Sequence, residues 1–382
     1  MYGRRGPAGE EASVIVHVGP SNLRLPARLG GAVERRMMEL AEAQARRGER
    51  VVVYSRGEET GWLDYRGVRI RYLPGPRAEF ALHFVYDAAR GPDGAPPRVL
   101  HVHNRAEIAW LAKTAGLGPT LLSCDYHFEP WRRFPRLRGI SKAVWRRCLL
   151  AANRIAPVSA YCLQVHRDYW DLPDSRFVLI ANGVDCARFR PDAALRAEWR
   201  ERLALDGRPA ILYVGRLCEQ KGTDLLIAAY RTLRRPAALV AVGPCELFGK
   251  TQVSALAAKV QETGGIYLPP LDDADMPGIY NACDIFVMPT RELEMFGMAA
   301  VEAQACGKPV VASDHGGLRE TVPESAGARF RSGDAGDLAA KLDALLDRPD
   351  LLDVLGRGAL ENAGRYDWPN IAERCEEAYA AL

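Results

Sequence analysis

The feature that most constrains this chain is a repeated alternation of short, almost unbroken runs of Val, Ile and Leu with amphipathic stretches of helical period. In the first half the runs are SVIVHV (13–18), RVVVYS (50–55), RVLHVH (98–103), PTLLSC (119–124), RIAPVS (154–159) and RFVLIA (176–181). Such runs suit strands buried on both faces, as in a parallel sheet with helices on either side. Between the first two lies AVERRMMELAEAQARRG (32–48), where Val33, Met37, Leu40 and Ala41 share one helical face and Gly48 is placed as a C-terminal stop. The second half restarts the pattern with PAILYV (209–214), AALVAV (237–242), GIYLP (265–269), DIFVMP (284–289) and KPVVAS (308–313). Two βαβ blocks of similar size predict an α/β chain of two doubly wound, Rossmann-like domains facing across a cleft. The boundary is expected around NGVDCARFRPD (182–192), where a strand ends in Asn-Gly.

The 382 residues fit two domains of ordinary size, and 48% hydrophobic with 26% charged residues excludes a wholly disordered chain. No apolar run approaches the ~18 residues of a membrane-spanning helix. The opening MYGRRGPAGEE lacks the apolar core of a secretory signal, so the expected location is cytoplasmic and residues 1–11 read as a disordered tail. Nine cysteines, no two closer than 14 residues, offer neither a metal knuckle nor a redox pair and read as reduced thiols. The net charge of +3 conceals an asymmetry: residues 1–190 carry 30 Lys+Arg against 19 Asp+Glu, and the remainder 21 against 29. A basic half makes an anionic acceptor, a membrane surface or nucleic acid worth weighing, beside a plain solvated surface.

Chemistry concentrates in two loops of the second half. In YVGRLCEQKG (213–222) a strand ends at Val214, Gly215 permits a tight turn, and Arg216 and Lys221 flank the loop that opens the helix TDLLIAAYRTL. Unpaired helix amides beside two cations form an anion site suited to a diphosphate. In RELEMFGMAAVEAQACGKPVVAS, Glu294 and Glu302 stand eight residues apart. That spacing puts Glu302 on a helix, able to accept hydrogen bonds from a diol, and Glu294 in the loop at its start. Phe296, Gly297 and Met298 would offer main-chain amides there to an anion or a sugar hydroxyl.

Together the E-x7-E pair, the V-G-R-x4-K-G loop, the NGVD-x3-F-x-P linker and the final YDW segment resemble glycosyltransferase family 4, retaining nucleotide-sugar transferases of the GT-B fold. The resemblance covers most of the chain, with its specific motifs in the C-terminal part. It implies that Arg216 and Lys221 hold the donor diphosphate, Glu302 binds the ribose hydroxyls and Glu294 contacts the donor sugar. The implied reaction moves a hexose or hexosamine from a nucleoside diphosphate sugar, UDP-sugar favoured over GDP-sugar, to an acceptor hydroxyl. The nucleotide sugar is a co-substrate; no cofactor, metal or nucleic acid is implied. The corresponding domains are 12–185 for the acceptor and 186–367 for the nucleotide sugar, with a C-terminal helix 368–382 packing back on the first. Met295 departs from the Gly or Pro that the family often has there. In the N-terminal half, Gly30-Gly31 opens the first long helix, a place the family sets near donor phosphates and acceptor. His127, just past PTLLSC, would reach a sugar hydroxyl or a developing charge, and by resemblance joins Arg216, Lys221 and Glu294 in the catalytic group.

Other readings stay open. A transferase-like protein that binds without chemistry is one, and an NAD-dependent dehydrogenase is another, opposed by VGPSNLRLPARLGG where a G-x-G-x-x-G would follow the first strand. His101 and His103 alternate on one strand face but lack a third metal ligand at recognisable spacing, so they read as core or cleft-edge imidazoles. Asp273-Ala274-Asp275 matches a metal-binding D-x-D triplet, yet Asp275 before Pro277 reads as a helix cap. Residues 132–147 hold seven basic side chains and no acid. They suit an anionic bilayer with Trp145 at the interface, an acceptor-phosphate site, a loop near the cleft or a solvated face.

Overall fold

A computed structural model describes residues 14–20, 23–26, 32–76, 79–94, 96–125, 138–244 and 254–382. Gly30, Gly31, His127, the tail 1–11 and the basic residues 132–137 lie outside the described residues. The chain forms two compact units. The first runs up to Val158 and adds Cys162–Ile180 and Ile371–Leu382; the second holds Ser159–Tyr161 and Ala181–Asn370. The division in the linker thus falls at Ile180/Ala181, just before the Asn-Gly segment and five residues before the 185/186 boundary that the resemblance implies.

Unit 1 is built on β1 (Val14–Val18), α1 (Ala32–Arg46), β2 (Val51–Arg56), β3 (Gly61–Tyr65), β4 (Val68–Leu73), α2 (Phe80–Ala88), β5 (Pro97–His103), α3 (Ala106–Thr114), β6 (Thr120–Cys124), α4 (Arg138–Ala151), β7 (Arg154–Pro157) and most of α5 (Ala160–Trp170). The strand order is β3-β4-β2-β1-β5-β6-β7, parallel except for β3. Alternation along the strands divides the two faces. Val14, Val16, Val18, Leu100, Val102 and Leu122 join a core with Phe80 and Phe84 of α2, Ile108 of α3 and Leu149 of α4. Full burial of each such side chain contributes about 1.5–3 kcal/mol. The opposite parity belongs to Ile15, His17, His101, His103 and Ser123, all buried.

Two differences from the sequence expectation stand in this sheet. RFVLIA does not form a strand: Val178 and Ile180 donate to Ile155 and Pro157 of the β7 region at 3.0 and 3.1 Å, but the ladder stops at one bridge. At the opposite edge the sheet has β3, paired with β4 and joined to it at Arg66-Gly67, where both residues take positive φ (51° and 84°) as a two-residue hairpin turn requires.

Unit 2 contains α6 (Ala193–Arg202), β8 (Ala210–Val214), α7 (Thr223–Tyr230), β9 (Ala238–Val242), α8 (Ser254–Glu262), β10 (Ile266–Leu268), α9 (Met276–Ala282), β11 (Ile285–Met288), α10 (Met298–Ala305), β12 (Val310–Ser313), α11 (Leu318–Thr321), β13 (Gly327–Phe330), α12 (Ala335–Leu346) and α13 (Pro349–Gly364). Its all-parallel order is β10-β9-β8-β11-β12-β13, the last strand being one the apolar pattern did not single out. The final helix, α14 (Trp368–Ala380), starts in unit 2 and ends among the residues of unit 1. The NGVD and YDW segments, far apart in sequence, meet within unit 2. Val184 N–H donates to Tyr366 at 2.8 Å and Trp368 N–H to Val184 at 3.2 Å, with the Trp368 ring against Gly183.

Candidate active site

In unit 2 the strand order reverses at β8, and the loops that leave the carboxyl ends of β8 and β11 carry the charged residues singled out above. The chain after β8 makes one short 3-10 turn, Glu219–Lys221, and enters α7 through Gly222. Gly222 has φ 73°, and a Cβ there would lie 1.9 Å from the Pro289 carbonyl oxygen, so the residue is fixed by conformation and by space. The backbone N–H groups of Arg291 and Glu292 both donate to the Gln220 carbonyl, at 2.9 and 3.1 Å. Arg291 also grips Asp224 of α7 through two bonds of 2.5 and 2.8 Å. The two loops are therefore one framed unit. On it Lys221 Nζ donates to Glu294 Oε2 at 3.0 Å, and the half-exposed Arg216 guanidinium lies 3.9 Å from Glu292.

The second carboxylate sits deeper. Glu302 on α10 is 4% exposed, and its Oε2 accepts from the Tyr280 hydroxyl of α9 at 2.7 Å. Sequence reasoning missed Tyr280, which stands in PGIYNACDIF at helical burial phase but with no spacing that links it to Glu302. Phe296 is buried, with its ring edge-on to Tyr366 at 5.3 Å, so its side chain is a core element and only its main chain faces a ligand role. Gly297 takes φ 93° at the N-cap of α10, and Met298 is the first residue of that helix. The structure thus groups Arg216, Lys221 and Glu294, and sets Phe296, Gly297, Met298 and Glu302 along the following loop and helix.

Residues 196–361 match the family model described as glycosyl transferases group 1, and residues 29–188 match that of glycosyltransferase family 4. The GDP-mannose-dependent alpha-(1-6)-phosphatidylinositol monomannoside mannosyltransferase of Mycobacterium tuberculosis is 30% identical over 70% of this chain and 71% of its own length. The chain belongs to glycosyltransferase family 4. Another family 4 relative, the D-inositol 3-phosphate glycosyltransferase of Thermobispora bispora, is 34% identical over 56% of this chain, and the match spans only about half (52%) of that protein. Among solved structures, Anabaena Alr3699/HepE in complex with UDP superposes with a TM-score of 0.78 over 97% of this chain and 100% of its own, at 19% identity. The likeness establishes the fold, which is GT-B.

Unit 1 of this family 4 chain holds a second polar constellation. His17 joins His101 and His103, the third imidazole that spacing alone did not supply. Their directions can be followed. His103 Nε2 donates to His17 Nδ1 at 2.9 Å, His17 Nε2 to Gln44 Oε1 at 2.7 Å, and Gln44 Nε2 to the Tyr379 hydroxyl at 3.1 Å. The Tyr379 hydroxyl lies 2.6 Å from His101 Nδ1, and His101 Nε2 lies 2.7 Å from Ser123 Oγ. The buried Arg36 closes the set, reaching Asp125 at 2.7 Å and lying 3.5 Å from His103 Nδ1. Each ring is neutral in this scheme, and burial pushes His17 down to about 4 and His101 and His103 well below the ordinary imidazole range. With ring nitrogens committed to partners and a guanidinium alongside, the donor set does not suit a cation.

The remaining expectations change in detail. Asp275 stands at the N-cap of α9 but its side chain makes no capping bond; the first turn is held by Pro277 and by packing. Asp273 is engaged by Arg188, which donates to its carbonyl oxygen. Trp145 is partly buried and packs against the unit 1 core, while Lys142, Val144 and Arg147 are exposed on α4.

Proposed function

We propose that this chain transfers a hexose or hexosamine from a nucleoside diphosphate sugar to an acceptor hydroxyl with retention at the anomeric carbon. The observation that carries the reading is the framed pair of loops in unit 2, with Arg216 and Lys221 on one and Glu294 on the other, followed by buried Glu302. In this reading Arg216, Lys221 and the first amides of α10 stabilise the charge that grows on the departing diphosphate, where a fixed cation favours the transition state over the ground state. Glu302 accepts from the ribose hydroxyls with its carboxylate oriented by Tyr280. Glu294, bonded to Lys221, contacts the sugar and is not a covalent nucleophile. A phosphate oxygen of the leaving group takes the acceptor's proton on the same face. Two fixed cations make a divalent metal redundant, so the reaction proceeds without one.

The names of the two relatives point to acceptors that carry an inositol phosphate or phosphatidylinositol, and the basic first half of the chain suits an anionic acceptor. The test is to incubate the protein with UDP-glucose, UDP-N-acetylglucosamine or GDP-mannose and an inositol phosphate, in excess chelator, and to read the product by NMR. An axial anomeric linkage from an axially linked donor is expected. An inverted product, or turnover only with added magnesium, would overturn the reading.

A further inference from the structure

Three consecutive carbonyl groups of the loop before α10 are each taken by a donor from elsewhere in unit 2. Glu294 O accepts from the Gly317 amide at 2.8 Å, Met295 O from Ser159 Oγ at 2.6 Å, and Phe296 O from Thr321 Oγ1 at 2.8 Å. The approach is close enough that a Cβ on Gly317 would lie 2.1 Å from Met295 O. Thr321, only 1% exposed, is itself gripped: its carbonyl accepts from Gln304 of α10 at 2.8 Å and from Asn362 of α13 at 3.0 Å.

A trans peptide unit is planar, with the carbonyl oxygen of one residue and the N–H of the next pointing in opposite directions. Pinning the oxygens of Glu294, Met295 and Phe296 therefore fixes the N–H groups of Met295, Phe296 and Gly297 to point the opposite way within each plane. None of the three donates to a partner among the described residues, although Met295 and Phe296 are buried. They precede the N-terminus of α10 and sit in the same loop as the Lys221–Glu294 pair.

We infer that Thr321 and Ser159 are positioning residues for sugar-nucleotide binding: by holding the carbonyls of Phe296 and Met295 they aim the adjacent amides at the distal phosphate and the sugar. This rests on the proposed donor site. It adds residues outside every motif that marks that site. A backbone hydrogen bond to a charged oxygen is strong only when the amide is already in place, so the pins act through preorganisation and touch no substrate themselves.

The experiment is calorimetric titration of UMP, UDP, GMP and GDP into the wild-type chain and into Thr321→Val, Thr321→Ser and Ser159→Ala, with melting temperature recorded for each. Thr321→Val keeps the side-chain shape and removes the hydroxyl. Expected is about a tenfold loss of diphosphate affinity, corresponding to about 1.4 kcal/mol, with monophosphate affinity unchanged and Thr321→Ser restored to wild type. Ser159→Ala should show the same split. Equal diphosphate binding in wild type and Thr321→Val would overturn the inference, as would a parallel loss of monophosphate binding, which marks a general packing defect. If the wild-type chain binds none of the four nucleotides, the donor site itself fails and the inference falls with it.

Discussion

Lys221 Nζ lies 3.0 Å from Glu294 Oε2, so the cation of the β8 loop and the carboxylate of the β11 loop hold one another in place. Both side chains are mostly buried, at 24% and 20% exposure, and removing one leaves the other poorly paired. Lys221→Met should lower turnover by roughly 10²-fold or more, as loss of a charge aimed at a leaving group does. In that background Glu294→Gln should cost less than in the wild type, with a coupling of about 1–2 kcal/mol in a double-mutant cycle on kcat/KM. Strict additivity would mean that the pair does not act as a unit.

Tyr280 has no place in any sequence motif, yet its hydroxyl donates to Glu302 at 2.7 Å in a fully buried setting. Tyr280→Phe removes a bond to a charged group, whose value is about 1.5–3 kcal/mol. Nucleotide affinity should fall about tenfold as the carboxylate loses its orientation. A nucleoside monophosphate is sufficient probe. Unchanged affinity would show that α10 alone positions Glu302.

The histidine network sets an acid limit on unit 1. His17 is held at about 4 against an ordinary 6.5, chiefly by burial, with the Gln44 bond opposing and Arg36 adding to the depression. The unfolded chain therefore takes up a proton near pH 6.5 that the folded chain refuses. Stability is fully present above that pH and is lost as pH falls toward 4, by about 3 kcal/mol for His17 alone. His101 and His103 shift the same way. Urea midpoints should fall little from pH 7.5 to 6.5 and more from 6.5 to 5.5, before most carboxylates titrate, and His17→Gln should lessen the fall. A midpoint constant from 7.5 to 5.5 would contradict a neutral buried cluster.

What the sequence made legible was whatever depends on local order. Buried parallel strands announce themselves as apolar runs, so β1, β2, β5, β6 and the strands from β8 to β12 could be read directly. Arg216, Lys221, Glu294 and Glu302 stood out because each pair sits within one turn-and-helix unit. Features set by register were hidden. His17 meets His103 across 86 residues, and only the β1–β5 pairing brings them to one face. β13 escaped notice because GARF is four residues long and keeps Arg329 half-buried against Asp314. The β3–β4 hairpin turns on Arg-Gly, a weaker signal than Asn-Gly for two residues of positive φ. RFVLIA has strand composition but only one bridging partner, and composition cannot report how many neighbours a run will find.

The most direct measurement is calorimetric titration of UDP and GDP in excess chelator into the wild-type chain, Arg216→Ala and Asp273→Ala. At least one diphosphate should bind the wild type without metal, bind Arg216→Ala about tenfold or more weakly, and bind Asp273→Ala as the wild type does. Binding that appears only with magnesium or manganese, or that survives Arg216→Ala while failing in Asp273→Ala, would contradict a donor site built from fixed protein cations.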